Sequence, residues 1–452
     1  MKKIIIVTKR VFFMCVGISL INACSSEKNT IVQTEICKWQ YGKRGAVSIT
    51  FDGGTINQFR KVMPIMNRLE FPGTFFITTG VIPGSQYQGR FIGRSVDTII
   101  NETATLPTNE DNLLERSSAA PFLGYAGTLD YQHTAGNLIE TGRYEEAFEV
   151  IDEFYKKVRN GEFPAGHSIN PDLLVGLGVT WDDIRLYATQ GHEFASHTIT
   201  HPNMAALDEA NMLYELEKSA EEIRNQLKLE YVFSVECPYG TENERVMEYT
   251  YKVYPASRNR MPEPFLEELN RGSRKNPGSS NKEYVQWQRG ARTKSTPQMM
   301  KSWIDTTAIH DNIWLVLVFH GVDSIGWEAI SSELYNEYFQ YMKSKENDIW
   351  IATFADVTRY MRERKNSNIK TVGKSRKIRV NITHSLDQTM YNIPLTLKTY
   401  VPSDWEEVKI KQGGKNKMIS PLRDDKGSFV LYQAYPNSDD VKVSKRRRLG
   451  GA

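Results

Sequence analysis

The sequence predicts an α/β chain: a parallel (β/α) barrel carrying a helical insertion, followed by a small all-β domain. Three observations carry that prediction. Apolar strand-like runs alternate with amphipathic stretches between about residues 45 and 365; polar groups fall where successive runs end; past about residue 366 short runs between turns replace the alternation. With 452 residues, 40% of them hydrophobic, the chain is long enough for a large core and more than one domain.

The N-terminus reads as a targeting segment. Lys2, Lys3, Lys9 and Arg10 precede an apolar run, Val11 to Ile21, that is short for a membrane span. It ends in Leu20-Ile21-Asn22-Ala23-Cys24, which resembles a bacterial lipoprotein signal; that resemblance implies cleavage before Cys24 and a lipid anchor there. Ser25 after the Cys favours the outer membrane of the cell envelope over the inner one. Losing residues 1–23 removes four cations and no anions, so the formal charge falls from +3 to −1, with no overall footprint for nucleic acid. Residues 25–40 read as a tether, and 446–452 as a basic tail. Cys37 and Cys237 remain as candidates for a disulfide that spacing alone does not decide.

Between them lies the barrel, residues 41–365. Ala46 to Phe51 is a strand ending at Asp52-Gly53-Gly54, residues 58–69 a helix, and Gly73 to Thr78 a second strand. Strand, helix, strand in that order predicts a parallel unit. Residues 82–175 interrupt it; Tyr144, Phe148, Ile151, Tyr155 and Val158 mark an insertion helix. The alternation resumes with His192 to Ser196, a helix through Leu213, Leu216, Ala220, Ile223 and Leu227, and Tyr231 to Val235. Residues 297–308 are helical. Ile313 to Phe319 is continuously apolar, as a strand buried on both faces must be, and runs into His320. Asp348 to Phe354 and the helix Val357 to Arg364 close the barrel. Lys370, Lys374, Arg376, Lys377 and Arg379 read as a basic linker to a β domain ending near residue 445, with runs such as Ile393 to Tyr400 and Ser428 to Tyr432.

Polar groups at the strand ends are Asp52, the pair His197 and His201, the turn Pro238-Tyr239-Gly240, and His320. In a parallel barrel those ends share one rim, so the four converge. His133, His167, His310 and His384 stand outside this constellation, and His192 reads as packing.

Thr50-Phe51-Asp52-Gly53-Gly54, Ser196-His197-Thr198-Ile199-Thr200-His201, Cys237-Pro238-Tyr239-Gly240 and Leu315 to His320 resemble, in this order, motifs of the NodB-homology polysaccharide deacetylases. The resemblance covers roughly residues 45–365 and implies a deformed (β/α) barrel acting on acetylated carbohydrate. It also implies roles. His197 and His201 hold a divalent metal, zinc in most of the family; Asp52 is the general base; the Tyr239 backbone N–H supports the oxyanion; His320 is the general acid. Pro238 and Tyr239 would line the substrate site, and Trp327 offers a ring for stacking on a sugar.

Two departures stand out. Gly53 occupies the position of a third metal ligand, normally Asp, which weakens the expected zinc site. Glu236 occupies the position of a base-orienting Arg, a charge reversal expected to raise the pKa of Asp52. Trp287 is the nearest candidate for the fourth motif. The leading expectation is hydrolysis of N-acetyl or O-acetyl groups on a poly- or oligosaccharide. A carbohydrate-binding protein on an impaired scaffold, or a metal-independent amide hydrolase, are the alternatives.

Overall fold

The computed structural model describes residues 33–168, 178–262, 268–273, 275–374 and 376–446, with Lys374 in backbone only. The signal segment, Cys24, tether residues 25–32 and tail residues 447–452 lie outside the described residues. The barrel strands are β2 (Gly45–Gly53), β3 (Thr74–Ile77), β4 (Glu193–Ser196), β5 (Ser234–Val235), β6 (Ala256–Ser257), β7 (Leu269–Arg271), β8 (Val285–Gly290), β9 (Ile313–Phe319) and β10 (Ile349–Ile351). Every pairing among them is parallel, in the order β6-β5-β4-β3-β2-β9-β8-β7, with β10 beside the first half of β2. The sheet curls into a deformed barrel whose edges are β6 and β7. Across that edge, Gln286 and Gln288 of β8 each donate a 2.7 Å hydrogen bond to the Arg258 carbonyl.

Strand alternation decides what points where. Val47, Ile49 and Phe51 of β2, with Leu315, Leu317 and Phe319 of β9, pack outward against Phe59, Met66, Ile304 and Phe339 of the helical layer. The intervening residues, Ala46 on β2 and Trp314 and Val316 on β9, pack with Trp350 and Phe354 on the inner side. β9 is the run predicted to be buried on both faces, and it sits centrally between β2 and β8. The register Phe51↔Phe319 places Asp52 and His320 side by side on the inner parity.

The insertion contributes helices Val96–Glu102, Leu113–Ala119, Leu129–Glu140 and Tyr144–Arg159, which bury Ile99, Ala135, Ile151, Phe154 and Tyr155 in a core of their own. The second domain is a sandwich of two antiparallel sheets. Its strands are β1 (Thr34–Ile36), β11 (Asn368–Lys374), β12 (Lys377–Thr383), β13 (Leu395–Val401), β14 (Val408–Gln412), β15 (Lys415–Ile419), β16 (Leu422–Asp424), β17 (Gly427–Ala434) and β18 (Val441–Lys445). Sheet β1-β13-β17-β16 packs Leu397, Val430 and Tyr432 on Val380, Ile410, Val441 and Val443 of sheet β11-β12-β18-β14-β15.

The structure departs from the sequence expectation at the second domain's first sheet-forming segments. Residues 34–36, taken as tether, pair with β13 through Thr34↔Thr399, so the start of the described chain is woven into the C-terminal domain. The basic stretch taken as a linker is the hairpin β11–β12. Lys370, Lys377 and Arg379 stay in solvent while Ile378, Val380 and Ile382 go inward, and charge density hid that period-2 pattern. In the predicted tail, Arg446 forms an ion pair with Glu407. Cys37 and Cys237 are both free thiols.

The junction between the domains holds a buried acid. Glu363, in the last barrel helix (Phe354–Asn366), accepts a 3.0 Å hydrogen bond from the Ile393 N–H and lies 3.5 Å from His384 Nε2. Burial pushes its carboxyl up to about 7 and pushes His384 down, so Glu363 keeps its proton in mild acid and ionises as pH passes through neutrality. A carboxyl whose folded pKa is raised contributes its full stability below the unfolded value and loses it as pH rises. For Glu363 that window runs from about 4.5 to about 7. Glu363→Gln, neutral throughout, is therefore expected to be more stable than the parent at pH 8 by about 1–3 kcal/mol and not at pH 4.5, read by urea denaturation at both.

Candidate active site

Five strands end in a polar side chain at the same rim: Asp52 from β2, His197 after β4, Glu236 after β5, Arg258 after β6, and His320 after β9. The central interaction is the one the sequence did not reveal. Arg258 Nη1 and Nη2 each lie 2.6 Å from a carboxylate oxygen of Asp52, a buried bidentate pair. Glu236 Oε1 sits 3.2 Å from the same guanidinium and accepts a 2.6 Å hydrogen bond from Asn259. His320 Nε2 is 3.4 Å from Asp52 Oδ2. Gln58 donates to the carbonyls of both Asp52 (2.8 Å) and His320 (2.7 Å), tying the two strand ends together.

One cation stands between two buried carboxyls, and the electrostatics follow from how it is shared. Burial alone would lift Asp52, but the Arg258 charge and the His320 contact overcome it and hold the carboxyl well below the usual range. Glu236 has the weaker contact, and burial pushes it up to about 7. The charge reversal at Glu236 was expected to raise the pKa of Asp52. The structure overturns this, because a neighbouring strand resupplies the guanidinium. Arg258 escaped notice because β6 is two residues long and shows no period.

The histidine pair sits on the loop after β4. The His197 and His201 ring centres are 4.7 Å apart, and His197 Nδ1 faces the Glu236 carbonyl at 2.7 Å, which fixes that nitrogen as the donor. Burial pushes His197 down to about 4 and His201 well below its usual value, so both are neutral imidazoles near pH 7. Thr198 (φ 67°) and His201 (φ 58°) both adopt left-handed backbone. Glu215, from the helix Glu209–Leu227, holds that turn: it accepts from the Ile199 N–H (2.8 Å), the Thr200 N–H (3.0 Å) and the Thr200 hydroxyl (2.6 Å). Glu215→Ala removes three acceptor contacts from a buried loop. It is expected to cost about 2–4 kcal/mol in thermal denaturation and to loosen the imidazole pair, visible as loss of the His197 Nδ1–H signal in NMR.

Tyr239, in the short turn Pro238–Gly240, also has left-handed backbone (φ 61°) and packs its ring 4.9 Å from that of His201. Its hydroxyl is 2.9 Å from His133 Nε2. His133, taken as lying outside the constellation, thus joins it from the inserted helix Leu129–Glu140. Their separation of 106 positions in sequence gave no signal. Pro238 is buried. Trp327 is 48% exposed, its ring 4.7 Å from His320 at an edge-on angle, which leaves aromatic surface open at the rim. Trp287 falls on the outer parity of β8, buried in the helical layer away from the rim. The inner positions there belong to Gln286 and Gln288.

A catalytic zinc takes three protein ligands. His197 and His201 supply two, Asp52 is committed to Arg258, and a side chain at Gly53 would meet nothing within 4 Å. Among the described residues no three His, Cys, Asp or Glu side chains converge as a metal site. The residues present do not fit the three-ligand zinc site implied by the motifs.

Residues 137–253 match the polysaccharide deacetylase family, a stretch holding the His197–His201 pair and the Pro238–Gly240 turn but neither Asp52 nor His320. A gellan lyase from a Bacillus species is 26% identical over 278 residues, 57% of this chain. The match covers 11% of that protein, so the chain spans about a tenth of its length. Among solved structures, the chain is similar to the Xyl-CE4 domain of a multidomain xylanase from the hindgut metagenome of Trinervitermes trinervoides, at 13% identity and TM-score 0.30 over 70% of this chain and 89% of that one. A family 4 carbohydrate esterase from Bacillus anthracis gives 14% identity and TM-score 0.30 over 70% and 83%. A CE4 family pseudoenzyme from the same organism gives 10% and 0.34 over 70% and 66%. Residues 137–253 are thus similar to the polysaccharide deacetylase family, and they form one part of the parallel barrel whose rim also holds Asp52 and His320.

Proposed function

We propose that the protein hydrolyses acetyl groups on a poly- or oligosaccharide, as a carbohydrate deacetylase or acetyl esterase. The observation that carries this reading is the Arg258–Asp52–His320 arrangement. The Arg expected in the third motif is gone, yet a guanidinium reaches the same carboxylate from the next strand, as a site under demand for an oriented acid–base pair would require.

Water adds to the acetyl carbonyl and the C–O or C–N bond to the sugar breaks. The proton lost by the water passes through the Asp52–His320 pair to the leaving hydroxyl or amine, and the products are acetate and the free sugar. Asp52, kept ionised, is too weakly basic to hold that proton for long. It aims the water and balances positive charge on His320, and His320 delivers the proton. Trp327 would carry a sugar ring beside His320. No step is assigned to a metal, because the donor set falls one ligand short. The gellan lyase relative supports carbohydrate as the substrate class. In keeping with the sequence, we also propose lipid anchoring at Cys24 to a bacterial envelope membrane.

The test is acetate release from acetylated xylan and from N-acetylglucosamine oligomers, before and after chelation, with Asp52→Asn as blank. Release that the substitution abolishes supports hydrolysis, and the substrate names the bond. The open position at Gly53 favours a second reading, a carbohydrate-binding protein on the same scaffold, which would bind these glycans without releasing acetate.

A further inference from the structure

The outer face of the sheet β11-β12-β18-β14-β15 carries charge in an arrangement that folding alone does not explain. The pairings Arg379↔Lys442 and Lys442↔Lys411 set three cations directly opposite one another across three adjacent strands. Lys377 and Lys409 flank them, both opposite Ser444, and Lys370 lies opposite Asn381. All six are exposed. Among the described residues Lys370, Lys377, Lys409, Lys411 and Lys442 make no ion pair, while Arg379 Nε lies 3.6 Å from Asp440 at one rim.

Like charges directly opposite in an antiparallel sheet repel, and a solvated face built for stability intersperses signs. Strands about 4.8 Å apart make this row roughly 10 Å wide, a regular comb of positive charge. Beside it is a shallow polar concavity of about 570 Å³ lined by the cations Arg379, Lys411 and Lys442, the Gly413–Gly414 turn, and the carboxylates Asp439 and Asp440. The outward positions of the strands in the rows are Lys, Arg, Asn, Ser, Thr, Val and Met, with no aromatic ring. Stacking on bases or neutral sugars therefore has no platform in these rows, and the exposed apolar side chains Val372 and Met418 lie on the two opposite edge strands, too far apart to form one wedge into a bilayer. The carboxylates of Asp439 and Asp440 confine the positive field to one side of the concavity, which suits a single chain laid along the cation rows better than a flat sheet of anionic headgroups.

We propose that this face binds an acidic polysaccharide, a glycan with regularly spaced carboxylates, as a site separate from the barrel rim. Recognition is by charge: the glycan relieves the repulsion that the cations impose on each other, and binding weakens with salt.

The experiment compares the full chain with the triple variant Arg379→Gln, Lys411→Gln, Lys442→Gln. Binding to polygalacturonate, neutral xylan and phosphatidylserine vesicles is measured by co-sedimentation at 20 mM and 500 mM NaCl. The parent is expected to bind polygalacturonate at low salt, at least tenfold more weakly at high salt, and at least tenfold more weakly still in the variant. The variant's melting temperature should be unchanged or higher, since cross-strand repulsion is gone. Undiminished binding by a folded variant would overturn the proposal, as would no binding of polygalacturonate at 20 mM NaCl. Sedimentation with the vesicles but not with polygalacturonate would overturn it in favour of a membrane surface.

Discussion

Arg258→Met is expected to cut acetate release by about 100-fold or more and to destabilise the fold by about 3–5 kcal/mol at pH 8. Met keeps an unbranched stem as far as the Nε position and lacks the guanidinium, so the loss is chiefly one of charge and geometry. In the parent, the guanidinium holds Asp52 ionised through two 2.6 Å contacts and touches Glu236 at 3.2 Å. Without it, two buried carboxyls face each other with no cation, and both keep their protons in the folded state. The dependence on pH then reverses sign. In the parent, the depressed pKa of Asp52 contributes stability above its unfolded value, near 3.8, that is lost as pH falls. In the variant both carboxyls are raised, so stability is fullest in acid and is lost as pH rises. The deficit relative to the parent should accordingly be large at pH 8 and small at pH 4.5, by urea denaturation. Equal deficits at the two values would mean that Arg258 acts through packing and not through charge. Arg258→Lys should recover part of the stability but little of the turnover, because an ammonium cannot grip both carboxylate oxygens in one plane.

How much of this could be read from the chain follows from the length of the signals involved. Residues 313–319 gave seven apolar positions in a row, and the structure returns them as a strand with those bounds. Asp52 and His320 could be placed because each ends a run long enough to fix its parity, and inner parity in adjacent strands makes them neighbours. β6 has two residues, too few for alternation to register. Arg258 was therefore invisible, and its absence made the charge of Glu236 look decisive. Glu215 lay within a plain amphipathic helix, where one buried acid reads as an ordinary polar position. His133 sits on an inserted helix, and only tertiary packing brings it to Tyr239. The β1 strand was masked by its neighbours: three residues after a polar stretch carry no pattern, and their partner lies more than 360 positions away.

Gly53→Asp is expected to raise zinc and cobalt affinity by about 100-fold or more, by adding the charged third ligand that the imidazole pair lacks. The register supports it. Gly53 pairs with Ile77, and Ile77 pairs with Ser196, so the new carboxylate would arise two strands from the start of the His197–His201 loop. Space is available, since a Cβ at Gly53 has no neighbour within 4 Å. The cost is conformational. Gly53 has φ 85°, a region where Asp is among the less penalised residues, so about 1–2 kcal/mol of stability should be lost. Equilibrium dialysis reads the affinity, and the visible absorption of bound cobalt reports whether the site has become tetrahedral. Tighter metal with a rise in acetate release would mean that Asp52, Arg258 and His320 are still a working set that lost one ligand, and the binding-protein reading would fall. Tighter metal without turnover would mean that the Arg258 lock on Asp52 has turned the rim from hydrolysis to recognition. No gain in affinity would mean that the imidazoles and the β2 end do not converge, and a metal would have no place in this site's chemistry.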